Sequence, residues 1–306
     1  MSWIALAFVS ALFLGCYDIA KKVSVRDNAV PIVLLVNVAT AAALWLGPMA
    51  YASFAVSGGG ELPCPDWLAR VVSLSGREHV LLALKSLLVG LSWTLAFFAL
   101  KHLPISIAAP IRATSPLWTI LFAVVLMGER PTPVQWLGIA VVLGAFLAFS
   151  RVGAREGIHF HRDRWVVLMV AATLLGAASS LYDKVLLQRM ALPPAAVQAW
   201  FSIYLVPVML PLAIRWYLRE RTAVPFRWRP AIPLIAVFLL AADYAYFVAV
   251  ADQGALISVI SPVRRSAVVI PFLCGAFYWK EPNWRLKAAC IGATLAGVCL
   301  LSQTTR

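Results

Sequence analysis

The sequence predicts an all-α membrane protein whose ten transmembrane helices form two inverted five-helix repeats. Of its 306 residues, 62% are hydrophobic and 13% charged. A soluble domain sits nearer half apolar and breaks its apolar runs with charge every few residues. Here, apolar stretches of about 20 residues, the length that crosses about 30 Å of hydrocarbon, recur from end to end. One stretch also occurs twice, half a chain apart. Residues 105–129 read ISIAAPIRATSPLWTILFAVVLMGE, and residues 257–281 read ISVISPVRRSAVVIPFLCGAFYWKE. Aligned without gaps, Ile105, Ser106, Pro110, Arg112 and Glu129 meet Ile257, Ser258, Pro262, Arg264 and Glu281.

The predicted spans are 3–22, 31–56, 80–100, 105–127, 134–150, 165–187, 195–216, 232–250, 255–279 and 286–302. Short polar turns join most of them, which makes consecutive spans antiparallel neighbours. Longer connections cover 57–79, 151–164 and 217–229, the first holding Gly58-Gly59-Gly60 with Pro63 and Pro65. Spans four and nine carry the duplicated stretch. Tyr17-Asp18 near the end of span one recurs as Tyr182-Asp183 near the end of span six, so the repeated unit is five spans. Its copies are 1–151 and 165–302, joined by a linker at 152–164. Five is odd, so tandem copies enter the bilayer in opposite senses, related by a pseudo-two-fold axis in the membrane plane. Two such halves share one pathway and have two related conformations, each open to one side.

The formal net charge is +13. The basic residues gather in short segments between spans, as the positive-inside rule and anionic headgroups require, which argues against a nucleic-acid partner. Most lie in the loops opposite the termini, among them Lys22, Arg26, Arg151, Arg219, Arg227 and Arg229. Fewer lie on the terminal side, where Arg70, Arg77, Lys85 and Arg189 are counted. That bias puts both termini outside the cytoplasm. Of the five cysteines, four lie in apolar runs without metal-ligand spacing, which reads as packing. His79, His102, His159 and His161 sit at loops or span ends, and no zinc, Ser-His-Asp or phosphate-loop pattern appears. No enzyme, metal or cofactor is expected. The first apolar run continues past Leu14-Gly15-Cys16 without a basic segment before it, so it reads as a span rather than a cleaved signal.

The segment LAFFALKHLPISIAAPIRATSPLWTILFAVVLMGERPTPVQWLGIAVVLGAFLAFS resembles the second half of an EamA domain of the drug/metabolite transporter superfamily. The features that carry the likeness are the "ALKHLP" turn, the prolines of span four, Gly128-Glu129-Arg130-Pro131, and Gly138 and Gly144 in span five. The C-terminal half repeats them more loosely, with Glu281-Pro282, Gly292 and Gly297. The resemblance implies ten helices, an inverted repeat and secondary transport of a small metabolite across a bacterial inner membrane. Many relatives carry an arginine early in span two, where this chain has Asn37. Many also keep their termini cytoplasmic, against the charge bias. Arg264-Arg265 followed by Ser-Ala-Val-Val-Ile is also similar to the Lys-Arg pair that holds phosphate in the ninth helix of sugar-phosphate translocators.

An ionisable side chain deep in a span is functional until a partner is named. Arg112 and Arg264 lie about 10–14 Å into their spans at 1.5 Å per residue, and the inverted repeat brings them toward the midplane from opposite faces. With Arg265 they form a candidate anion clamp, since a guanidinium fork grips carboxylate or phosphate. The bland alternative is pairing with intramembrane carboxylates or freed backbone carbonyls. Asp243 lies mid-span, placed either to carry a coupling proton or amine ligand or to pair with one of these arginines. Tyr244, Tyr246 and Trp93 are candidate stacking surfaces, although aromatics in membrane helices more often pack or anchor. Tyr17, Asp18, Tyr182 and Asp183 are candidate gating or coupling residues. Lys21, Lys22 and Lys184 offer Asp18 and Asp183 helical ion pairs, with the lysines snorkelling to the interface. Glu129 and Glu281 lie at turns and suit helix-end contacts. The expected partners are a small-molecule substrate, the bilayer, and a coupling proton or counter-substrate; monomer and homodimer stay open. A flippase-type protein, with the arginines on a phosphate-bearing lipid headgroup, is the alternative.

Overall fold

The computed structural model describes residues 2–57, 63–104, 107–108, 111–112, 114–127, 132–155, 163–255, 257, 260, 263–264, 266–278, 280 and 283–302. The expectations for Arg265, Glu129 and Glu281 lie outside the described residues. Among those described, the regular structure is helical throughout. The helices are α1 (Trp3–Val25), α2 (Val30–Ser57), α3 (Asp66–Val72), α4 (Gly76–His102), α5 (Ser115–Met127), α6 (Pro133–Arg155), α7 (Arg164–Lys184), α8 (Pro194–Arg219), α9 (Ala231–Ala251), α10 (Val269–Leu273) and α11 (Trp284–Ser302). Six of them among the described residues are long and apolar enough to cross a membrane: α1, α2, α4, α7, α8 and α9.

Local chemistry sets the helix starts. The Ser2 hydroxyl accepts from the Ala5 N–H, and Asp163 accepts from the Trp165 and Val166 N–H groups, each meeting donors the first turn leaves unpaired. At α4 a capping box forms: Glu78 accepts from the Ser75 backbone N–H at 2.6 Å while the Ser75 hydroxyl accepts from the Glu78 N–H. This box starts the helix at Gly76, earlier than the apolar run alone predicts.

Two stretches depart from the sequence expectation. The connection 57–79 holds the short helix α3, which packs on α2 and α8, with Leu68 and Val71 buried. The ninth span is not a uniform α-helix: a 3₁₀ turn at Ser266–Val268 precedes α10, and a π turn at Cys274–Tyr278 follows it. Pro271 is the physical reason, because it lacks an N–H and its ring crowds the carbonyl one turn back, in the 3₁₀ segment. A second π turn, Val185–Arg189, extends α7.

The helices interleave. α1 packs on α9, α4 on α7 and α8, α2 on α8 and α9, α5 on α7, α10 on α1, and α6 on α11. At one end, the Asn28 side chain donates to the Arg227 carbonyl and accepts from the Arg227 N–H, both at 2.8 Å. Lys22 donates to the carbonyls of Leu100 and Leu103 at the same end, and His102 stacks on Trp165. At the other end, Gln188 donates to the carbonyls of Val250, Asp252 and Ala255, Trp200 donates to Val71 O, and Tyr204 meets His79. Exposed Phe8, Leu12, Phe54, Leu87 and Leu218 cover the outside, as a lipid-facing surface requires.

Two crossings depend on missing side chains. A Cβ on Gly15 would lie 2.7 Å from the Ile270 Cβ, and one on Gly90 would lie 2.5 Å from a Val208 methyl. Small residues at such contacts let membrane helices approach closely. Gly15→Val is therefore expected to cost about 1–3 kcal/mol by overpacking. Gly144→Ala, where nothing lies within 4 Å, is expected to be neutral or to stabilise by about 0.5–1 kcal/mol. Denaturation of the purified variants in detergent measures both.

Candidate functional site

A cavity of about 120 Å³ opens between the helices. Four helices each contribute one stripe at helical spacing. These are Leu14, Tyr17 and Lys21 of α1; Lys85, Val89, Ser92, Trp93 and Ala96 of α4; Thr173, Gly176, Ser180 and Asp183 of α7; and Leu239, Asp243, Tyr246 and Phe247 of α9. Residues three and four apart share a helix face, so each set points one way. Arg112, Ser115 and Arg264 add the contribution of the duplicated stretches.

The charges around this cavity are paired. Asp18 accepts from Lys21 at 3.0 Å and also from Arg112. Lys85 donates to Asp183, joining α4 to α7. Arg264 donates to Asp243 through one nitrogen and to the Ser10 hydroxyl through Nε at 2.9 Å. The Ser10 hydroxyl in turn donates a hydrogen bond to the Ala242 carbonyl at 2.7 Å, which ties α1 to α9. Aromatic faces complete the solvation of Lys21, Lys85 and Arg264. Lys85 lies 4.8 Å from the ring centroids of Phe201 and Phe247, Arg264 lies 4.2 Å over Tyr246, and Lys21 lies 4.5 Å over Tyr17.

Most predicted residues meet here. Arg112, Arg264, Asp243, Tyr246, Trp93, Tyr17 and Asp183 line the cavity, and Asp18 reaches it through Arg112. Two do not. Tyr244 is 42% exposed on the outer face of α9, because one residue beyond Asp243 is a 100° turn away. Tyr182 donates to the Leu81 carbonyl at 3.1 Å instead of facing the cavity. The lysine expectations are also corrected. Lys21 is 1% exposed and does not snorkel; its ammonium lies between Asp18 and the rings of Tyr17 and Phe97. Asp183 pairs with Lys85 rather than with its neighbour Lys184, since it turns inward toward α4. Asp243 takes the ion-pair alternative, with Arg264.

Sequence reasoning missed Lys85, Ser10 and Ser115. Lys85 was counted with the loop charges because the apolar run begins at Val80. The capping box at Ser75 and Glu78 was the signal that places it well inside the helix. Ser115 is buried, and its hydroxyl has no hydrogen-bond partner among the described residues. Around the cavity the described residues thus present four cations, Lys21, Lys85, Arg112 and Arg264, against three carboxylates, Asp18, Asp183 and Asp243. Arg112 is the most open of the cations, its side chain 21% exposed against 11% for Arg264 and 2% for each lysine. Among the described residues no group of three or more His, Cys, Asp or Glu side chains is placed to hold a metal.

Residues 1–151 match the EamA-like transporter family. The chain is similar to the pseudopaline exporter CntI of Pseudomonas aeruginosa (strain UCBPP-PA14), 23% identical over 77% of this chain and 78% of that one. It is also similar to the probable 4-amino-4-deoxy-L-arabinose-phosphoundecaprenol flippase subunit ArnE of Escherichia coli O157:H7 (strain EC4115 / EHEC), 32% identical over 34% of this chain and 94% of that one. A solved crystal structure superposes over 98% of both chains with a TM-score of 0.60 at 17% identity, a likeness of fold alone.

Removing one partner of a buried pair leaves an uncompensated charge, which typically costs about 3–5 kcal/mol. Lys85→Met is expected to destabilise by that amount, and adding Asp183→Asn to recover at least half of it. A double-mutant cycle on purified protein, read by denaturant titration, checks the coupling.

Proposed function

We propose that this integral multi-pass membrane protein, whose residues 1–151 belong to the EamA-like transporter family, is a secondary active transporter. It moves a small anionic or zwitterionic metabolite across the bacterial cytoplasmic membrane by alternating access and carries out no enzymatic step. The carrying observation is the cavity itself. Four cations and three carboxylates converge on it from α1, α4, α7, α9 and the two duplicated stretches. Groups this costly inside a bilayer are retained where they meet a polar cargo.

The helix pairings support two inverted five-helix halves, 1–151 and 165–302. Exchanging α1 with α7, α2 with α8, α4 with α9, α5 with α10 and α6 with α11 converts the main contacts into others that are present, although the α3 contacts have no counterpart. The α1–α9 packing becomes α7–α4, α4–α8 becomes α9–α2, and α5–α7 becomes α10–α1, while α2–α8 and α6–α11 map onto themselves. This exchange supports a pseudo-two-fold relation between the halves, and the odd number of spans in each half would set its axis in the membrane plane.

In this reading, the negative group of the cargo binds Arg112 and draws Arg264 from Asp243, and the freed carboxylate accepts an ammonium group when the cargo has one. Each exchange substitutes a cargo contact for an internal ion pair, so the bound state differs from the empty one in the contacts between helices. That differential interaction is what a ligand needs to shift a conformational equilibrium. Asp243, the acid shared between cargo and Arg264, sets the cycle. The likeness to a flippase subunit favours a second reading, in which the anionic group belongs to a lipid headgroup. Lipid phosphate copurifying against Arg264 would establish it.

A thermal-shift screen of purified protein against carboxylate, phosphate and amine metabolites identifies a cargo for reconstitution. Arg264→Gln is then expected to lower kcat/KM at least about thirtyfold, the scale of a buried charge-pair loss. Arg264→Gln with Asp243→Asn is expected to restore thermal stability without restoring transport. Unchanged uptake kinetics in Arg264→Gln would remove the anion clamp. Orientation is read at Cys64, a half-exposed thiol in the connection between α2 and α3. With the termini outside the cytoplasm, a membrane-impermeant maleimide is expected to label Cys64 in intact spheroplasts, and the Cys64→Ser variant to lose that label.

A further inference from the structure

Beside the main cavity, at the junction of α2, α8 and α9, lies a second space of about 10 Å³, room for about one water molecule. Asn37 lines it, 1% exposed. Both its amide nitrogen and its amide oxygen are buried without a hydrogen-bond partner among the described residues. Leaving two polar atoms dry and unpaired is costly, and most buried polar groups avoid it. The neighbouring polar groups have other commitments. Gln198 donates its amide nitrogen to the Leu240 carbonyl at 2.6 Å, Ser202 donates to the Gln198 carbonyl at 2.8 Å, and Asp243 holds Arg264.

The two spaces share walls. Trp93, Phe201, Leu239 and Asp243 line both, and Trp93 meets Phe201 edge to face with ring centroids 6.0 Å apart. Trp93, as a shared wall, is the side chain a group would have to pass between the two spaces.

We propose that Asn37 is a specificity-determining contact for a neutral hydrogen-bonding group of the cargo, such as a carboxamide, urea or alcohol, that reaches past Trp93 while the charged end stays at the arginines. This deepens the transport reading and rests on it. The chemistry of the space selects a neutral group. A carboxylate there would face Asp243, and the charge of Asp243 is already taken, by Arg264 in the empty state and by the cargo's own ammonium in the bound one. A group with both a donor and an acceptor satisfies both ends of the Asn37 amide.

The test is Asn37→Leu, which keeps the branched four-atom skeleton and lacks the amide, purified and reconstituted beside the wild type. The probes are matched pairs that differ by the neutral polar group: L-glutamine against L-norleucine, and 4-hydroxybutyrate against valerate. Binding is read by thermal shift and transport by uptake. The expected result has two parts. The ligand-free variant melts at or above the wild type, because an unsatisfied amide has been removed. The wild-type preference for the polar member, about tenfold or more where a site hydrogen-bonds its ligand, falls to within about twofold. A variant that melts below the wild type would show that the amide is satisfied inside the fold and overturns the proposal. So would a preference that survives the substitution, or a wild type with no preference. Arg264→Gln separates the two readings. If it leaves uptake of both pairs intact while Asn37→Leu abolishes the preference, the charge reading fails and the Asn37 contact stands.

Discussion

A charge held between helices in a bilayer has to be neutralised within reach of its own side chain, since neither water nor lipid will do it. Much of this structure follows from that constraint. Lys85 and Asp183 fix the facing of α4 and α7. Arg264, held by Asp243 and Ser10, fixes the second duplicated stretch against α1 and α9. Arg112, sharing Asp18 with Lys21, fixes the first. Aromatic rings also face Lys21, Lys85 and Arg264, so that breaking an ion contact there does not leave the cation against bare hydrocarbon.

The apolar packing is arranged to leave that polar centre accessible. Gly15 and Gly90 bring helices close together away from the cavity. Around it α7 carries Thr173, Gly176, Ser179 and Ser180, short side chains that leave space rather than fill it. The Thr173 and Ser180 hydroxyls bond carbonyls one turn back in their own helix, which satisfies them in hydrocarbon and keeps them available as acceptors. The largest core cluster, with Leu14, Val33, Phe97, Leu205 and Ile235 among its members, draws on both sequence halves. Tight contacts at the crossings and loose polar lining at the centre are complementary uses of small residues.

Much of this was legible in the sequence. Apolar length gave the helices, the duplicated Arg112 and Arg264 pointed to the cavity, and Tyr17-Asp18 pointed to α1. What failed, failed for local reasons. A hydropathy run cannot show that a capping box lengthens a helix, so Lys85 looked like an interfacial lysine. Neighbours in sequence are not neighbours across a helix, so Tyr244 was grouped with Asp243 although it points to the lipid. Lys184 seemed the natural partner of Asp183, yet the partner came from α4. Long-range pairing is decided by which faces meet, and no single-helix pattern contains that. The irregular ninth span was foreshadowed by Pro271, whose effect on hydrogen-bonding register is general even when its outcome is not.

The recurrent Tyr-Asp pair has parted ways in its two settings. Tyr17 lies under Lys21 on the cavity wall, while Tyr182 is fastened to the Leu81 carbonyl. Asp18 serves two cations from the N-terminal half, while Asp183 serves one from across the molecule. The duplicated segments have therefore ceased to be interchangeable parts. A protein assembled from two copies of residues 1–151 would carry two wall tyrosines, with Asp18 of one copy in the place where Asp183 now receives Lys85.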